Sequence, residues 1–206
     1  LDKLAAAIAK SVGTKKDPTA DNKTGEINPA AMFKLSYGLF VVTVNDGKQD
    51  GGCIVNTVTQ LTDNPKRITV AVNKANYTHD VIKEKGEFNV SVLTEDATFA
   101  QFQQFGFQSG RDVNKFAGVK YYDRSDNGLR YIPENTNAFI SAKVVDSIEY
   151  ETHTLFIADV TEAQVLSDAP SVTYAYYFDH IKPKPQPQPA ADTKKKRWVC
   201  KICGYV

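Results

Sequence analysis

Leu35-Ser36-Tyr37-Gly38-Leu39-Phe40-Val41-Val42-Thr43-Val44 runs straight into Asn45-Asp46-Gly47-Lys48, and Cys53-Ile54-Val55-Asn56-Thr57-Val58-Thr59 follows. The first run is dominated by β-branched and aromatic side chains, which suit a pleated, half-buried surface. Asp-Gly accepts the positive φ of a tight hairpin turn. The stretch therefore predicts two strands, Leu35 to Val44 and Cys53 to Thr59, joined as a hairpin. The same texture extends outward. Arg67 to Asn73 puts Ile68, Val70 and Val72 on one face, and Phe88, Val90 and Val92 alternate with Asn89 and Ser91. Two long runs, Asn137 to Tyr150 and Thr152 to Leu166, close the region. Helices are few: Thr78 to Lys85, stopped by Gly86, and Glu95 to Phe105, with Thr94 as its cap. Five to seven strands with one or two short helices predict a mainly β chain, a closed or partly closed barrel.

The 206 residues are 42% hydrophobic and 24% charged, the composition of an ordinary globular protein. Leu39 to Val44 is far shorter than the ~20 apolar residues of a membrane-crossing helix, so no membrane association is expected. Lysine and arginine number 25 against 24 acids, but the bases crowd one end. Lys182, Lys184, Lys194, Lys195, Lys196, Arg197 and Lys201 stand there with Asp192 as the only acid, leaving the rest of the chain mildly acidic. Bulk electrostatics argue against nucleic-acid binding, and the Lys-Lys-Lys-Arg run reads as solvated linker. Three cysteines, an odd number, do not make a disulfide framework; they fit a reducing, cytoplasmic setting.

Four regions follow. Residues 1–28 are a leader, helical at first and then a polar loop. Residues 29–181 form the β domain. Residues 182–197 carry Pro183, Pro185, Pro187 and Pro189 and make a semi-rigid spacer. Residues 198–206 end in Cys200-Lys201-Ile202-Cys203-Gly204, a knuckle whose two thiolates can face one metal ion. A four-sulfur site needs a second such knuckle.

Two internal segments offer ligand chemistry. Gly51 to Pro65 has small residues for close approach, with Asn56, Thr57 and Thr59 as polar partners. Val72-Asn73-Lys74-Ala75-Asn76-Tyr77-Thr78-His79 runs from a strand end into a helix start, where unpaired N–H groups, the Thr78 hydroxyl and the Lys74 ammonium suit a phosphate. Spacing alone favours a simple capped helix with a solvated lysine. His79 reads as a helix-surface residue, and Cys53 as a buried, unreactive thiol.

Taken together, Met32 to Thr43, Gly51 to Pro65, Val72 to His79, Phe105-Gly106-Phe107-Gln108-Ser109-Gly110-Arg111-Asp112-Val113-Asn114-Lys115-Phe116 and Thr152-His153-Thr154-Leu155-Phe156 resemble the flavin reductase family with its FMN-binding split β-barrel. With the proline spacer and the knuckle, the chain resembles flavin reductase–rubredoxin fusions, with the rubredoxin part cut short. The resemblance implies a homodimeric oxidoreductase that passes electrons from NADH, or NADPH, through FMN to a rubredoxin-type iron centre and on to a redox protein. It implies that Asn56, Thr57, Val58 and Thr59 run along the isoalloxazine and ribityl chain. Asn73, Lys74, Tyr77 and Thr78 would reach the phosphate, with Ser109 and Arg111 contacting phosphate or a neighbouring subunit. His153 would stand by the flavin and nicotinamide; its other reading is a strand histidine bonded to backbone. Cys200 and Cys203 would ligate iron only if a second knuckle is supplied. Glycine-rich dinucleotide fingerprints are absent from the sequence, so the nicotinamide rests on the resemblance alone. An FMN electron carrier without direct NADH oxidation, or a flavin-binding module, are the alternatives.

Overall fold

A computed structural model describes residues 27–118 and 122–184. Most of the leader, most of the proline spacer and the Cys200–Cys203 knuckle lie outside the described residues. The strands are β1 (Phe40–Asn45), β2 (Asp50–Val55), β3 (Thr59–Thr62), β4 (Arg67–Asn73), β5 (Glu87–Leu93), β6 (Asp123–Arg124), β7 (Arg130–Tyr131), β8 (Thr136–Glu149) and β9 (His153–Val165). The helices are α1 (Tyr77–Lys85), α2 (Phe99–Gly106) and the single turn α3 (Tyr174–Tyr176), after a 3-10 helix at Pro29–Lys34.

Seven strands form one antiparallel sheet in the order β2-β1-β5-β8-β9-β4-β3. In a flat sheet, six spacings of ~4.8 Å would hold β2 and β3 roughly 29 Å apart. Yet only Asn56, Thr57 and Val58 join them, and four Cα steps reach at most about 14 Å. The sheet must therefore roll until its edges approach. The result is a split barrel whose seam lies between β2 and β3.

Inside the roll, Val42, Val44, Val70, Val72, Phe88, Val90 and Phe156 pack with Val81 and Ile82 of α1. Outside it, α2 and the C-terminal turns cover Val41 and Leu93 with Phe102, Phe105, Phe116, Val172 and Tyr177. Strand β1 is thus buried on both faces, each fully buried Val or Phe contributing ~1.5–3 kcal/mol.

The hairpin forms as expected, with Gly47 at φ +94° and Asp46 Oδ1 accepting the Lys48 and Gln49 N–H groups. Several boundaries differ from the sequence reading. The first strand begins at Phe40, because Met32 to Lys34 belong to the 3-10 helix and the Tyr37 carbonyl accepts from Tyr174 N–H instead of a neighbouring strand. Cys53 to Thr59 is not one strand; it breaks at the seam. The second helix starts at Phe99. Its cap is Thr98, in a reciprocal box with Gln101, while Thr94 and Glu95 spend their N–H groups on Asn135 and Pro170 carbonyls. Tyr174 to Phe178 are helical and pack on the barrel, with the Tyr177 ring 4.4 Å from that of Phe102.

Candidate functional site

The three seam residues are half-buried. Thr57 Oγ1 donates to Ala71 O of β4 at 2.7 Å, and Thr59 Oγ1 lies 2.9 Å from Thr69 Oγ1. Val58 packs on the inner core. Thr57 thus ties the seam to β4 ahead of the β3–β4 ladder, whose first pair is Thr59 and Thr69.

Two residues beyond Ala71, β4 ends at Asn73, which pairs with His153 of β9. Asn73 O accepts from Asn76 N at 2.9 Å and Asn73 Oδ1 from Ala75 N at 2.8 Å. Lys74 N donates to Thr152 O at 2.9 Å. This tight turn delivers the chain into α1. Asn76 is the N-cap residue, but its side chain makes no capping bond, so the first-turn N–H groups of Tyr77 and Thr78 lack an intrahelical partner.

Two cations flank that helix start. Lys74 Nζ is 3.3 Å from Glu149 Oε2, and Lys83 holds the other oxygen of the same carboxylate. These contacts, Lys83 first, keep the Glu149 carboxyl below its usual range. Arg111 Nη2 is 2.6 Å from Asp80 Oδ2, and its guanidinium lies over the Tyr77 ring at 5.2 Å. Ser109 Oγ accepts from Arg111 N at 3.2 Å. The Tyr77 hydroxyl donates to Asp46 Oδ2 at 2.8 Å; that bond raises the phenol pKa. Asp46 is held low chiefly by the Gln49 and Lys48 N–H groups.

Asn73, Lys74, Tyr77, Thr78, Arg111 and His153 therefore meet at one end of β4 and β9, with Asn56 to Thr59 alongside. His153 is half-buried, its Nδ1 2.8 Å from Thr152 Oγ1. Thr78 is buried at the start of this helix, 3% exposed. Cys53 is buried, as expected, and burial pushes its thiol pKa up against the opposing effects of Thr78, Lys115 and Asn76.

His79 is a correction. It is 5% exposed, not on the helix surface. Nδ1 lies 2.9 Å from Asp80 Oδ1 and Nε2 lies 2.8 Å from Thr154 Oγ1, so the ring ties α1 to β9 beside His153. Bonds from His79, then from Arg111, hold the Asp80 carboxyl below its ordinary pKa. Asp80 and Glu149 were invisible as partners in the sequence, because Lys74 meets Glu149 only through the β8–β9 hairpin.

Residues 32–184 match the flavin reductase like domain. The chain is 37% identical over 186 residues to a high molecular weight rubredoxin of Moorella thermoacetica, covering 85% of this chain and 81% of that one. It is 42% identical over 147 residues to a ferric-chelate reductase (NAD(P)H) of Archaeoglobus fulgidus, covering 71% and 86%. The NADH:FAD oxidoreductase SgcE6 of Streptomyces globisporus shares the fold, with a TM-score of 0.65 at 20% identity, covering 73% of this chain and 93% of that one. The rolled sheet with its polar seam and the sequence relationships agree: the chain belongs to the flavin reductase-like family of oxidoreductases.

Proposed function

We propose that the protein binds FMN at the seam, takes a hydride from NADH or NADPH, and passes electrons one at a time to a rubredoxin-type iron centre. The observation that carries this reading is the uncapped start of α1, flanked by Lys74 and Arg111 and opening beside Asn56 to Thr59. Free first-turn N–H groups with two cations form a donor set suited to a phosphate. Half-buried amide and hydroxyl side chains along the seam suit the polar edge of an isoalloxazine and a ribityl chain. The residues present thus fit FMN.

When bound, FMN supplies the exchange between two-electron and one-electron chemistry. The chain's own residues bind and orient. Lys74, Arg111 and the N–H groups of Tyr77 and Thr78 hold the phosphate, with Asn73 and Ser109 shaping the turns that present them. Asn56, Thr57, Val58 and Thr59 line the ring and ribityl chain. His153 orients the nicotinamide. Cys200 and Cys203, outside the described residues, supply two thiolates of an iron site that needs two more. The names of the Moorella and Archaeoglobus relatives support the rubredoxin and NAD(P)H ends of this route.

The protein acts as a homodimer in the cytoplasm. Exposed Leu61, Val145, Ile148 and Tyr150, on β3 and around the far half of β8, support self-association; sedimentation at micromolar concentration checks it. Among the described residues no helix is long and apolar enough to cross a membrane.

The test is an anaerobic visible spectrum of the protein with FMN, before and after NADH or NADPH. Rapid bleaching of bound flavin is expected. Bound flavin that stays oxidised would make the protein an electron carrier reduced by a partner, and no bound flavin would refute the reading.

A further inference from the structure

Lys115 is 5% exposed, yet it belongs to no ion pair among the described residues. Its Nζ donates to Gly52 O of β2 at 2.8 Å and to Phe105 O near the end of α2 at 2.9 Å. Two carbonyls satisfy two of its three donors; no carboxylate answers its charge. Burying a cation this way is costly unless something negative compensates it. Burial pulls its pKa below the ordinary lysine value, and Cys53 is the one titratable neighbour opposing that shift. The buried Cys53 thiol is itself pushed toward the neutral form by burial, so it supplies no counter-charge.

This ties the ammonium to the strand that leads into the candidate site. Gly52 lies on β2, which ends at Val55 and runs directly into Asn56 at the seam, and the loop that carries Lys115 also carries Arg111 to Asp80 and the Tyr77 ring at the start of α1. A Cβ at Gly52 would stand 2.7 Å from Val42 O and 3.5 Å from the Phe105 ring, so β2 and the end of α2 pack closely where Lys115 joins them. A charge held inside the protein is screened far less than Lys74 or Arg111 at the surface.

Reducing FMN by two electrons with uptake of one proton, the content of one hydride, leaves one negative charge on the ring. The phosphate charge is the same before and after. A fixed positive charge on the strand that leads into the site therefore separates the two forms through the ring alone. We propose that the buried Lys115 ammonium makes the site favour reduced, anionic flavin over oxidised flavin, so that it tunes the cofactor and does not merely clamp α2 to β2. This rests on the proposed FMN site.

The experiment uses the full chain loaded with FMN, comparing wild type with Lys115→Met and Lys115→Gln. Gln keeps an N–H donor for the two carbonyls without the charge. Affinity for oxidised FMN is measured by fluorescence quenching, and the bound-flavin midpoint potential by dye equilibration. Both variants are expected to lose about tenfold of the preference for reduced flavin, a shift of about 30 mV to lower potential for two electrons. A lower apo melting temperature with an unchanged potential would overturn the proposal and leave Lys115 as a helix-end clamp. Wild type supplies a second reading that needs no variant. Raising the salt should weaken oxidised FMN binding through Lys74 and Arg111 while the preference for reduced flavin persists, and its disappearance in salt would also overturn the proposal. Failure of wild type to bind FMN at all is a different result; it removes the proposed site and this role with it.

Discussion

Lys74→Ala should weaken FMN binding and leave riboflavin binding unchanged, because riboflavin lacks the phosphate. The Lys74 side chain is one-third exposed and already contacts Glu149. A hydrogen bond to a charged group contributes ~1.5–3 kcal/mol net. The phosphate must take Lys74 from Glu149, so the effective loss falls to about 1–2 kcal/mol, or roughly 5- to 30-fold in Kd. Glu149 does not become an orphan, since Lys83 still holds it. The assay is quenching of flavin fluorescence at low salt, run in parallel with FMN and riboflavin. At high salt the gap between wild type and variant should narrow, because an exposed cation is screened there. Equal FMN affinity in the variant would remove Lys74 from the phosphate site. An equal loss for both flavins would show that Lys74 supports the turn and not the ligand.

His79→Leu removes a buried ring bonded at both nitrogens and strands the Thr154 hydroxyl; a loss of ~1–3 kcal/mol is expected in urea unfolding, and unchanged stability would refute the tie between α1 and β9. His153→Ala should slow anaerobic hydride transfer from NADH in stopped flow while FMN affinity changes little, and an unchanged rate would return His153 to a structural role. The folded pKa of Asp80 is depressed, chiefly by His79 and then Arg111. Its stabilisation is therefore complete above the unfolded carboxylate value and is lost as pH falls through the lower folded value. Urea midpoints should fall from about pH 4 downward, and Asp80→Asn should flatten part of that slope.

What could be read from the chain was what neighbours in sequence decide. Alternation marks β4 and β5, two long runs mark β8 and β9, and Asp46-Gly47 marks the hairpin, because side-chain period and turn sterics are local. Thr94 is the helix cap that the same local reasoning selects. It lost to Thr98 because Asn135 and Pro170, some 40 and 75 residues away, claim the N–H groups that a helix start would need. His79 shows the limit most clearly. Nothing within a turn of it says that Thr154 waits on the opposite side, and a histidine next to Asp80 looks solvated until β9 is laid against β4. The candidate site residues were found as motifs, whereas their carboxylate partners, Asp80 and Glu149, were not. Nothing near Lys115 in the sequence marks it as buried; that follows only from its bonds to Gly52 O of β2 and Phe105 O of α2.

The charge arrangement explains why the predicted effects are moderate. Lys74 and Arg111 stand on either side of an uncapped helix start that already carries a partial positive charge. Three like charges so placed would repel one another without partners. Glu149 and Asp80, brought in from β8 and from α1 itself, balance the cluster in the absence of ligand. Both pairs are largely solvent-exposed, so each adds little to stability and is easily exchanged. A phosphate arriving at α1 would thus replace two weak carboxylate contacts with one shared, doubly charged partner, and would gain the two helix N–H groups that the carboxylates do not use. Affinity comes from that difference, not from the full attraction of two bare cations. Removing either carboxylate should therefore tighten FMN binding, the opposite direction from removing either cation. Glu149→Gln is the cleaner test because Glu149 lies on β8, away from the helix whose N–H groups meet the ligand. Tighter binding of FMN, with riboflavin unaffected, is the expected result. Weaker binding would mean that Glu149 holds Lys74 in place for the phosphate instead of competing with it.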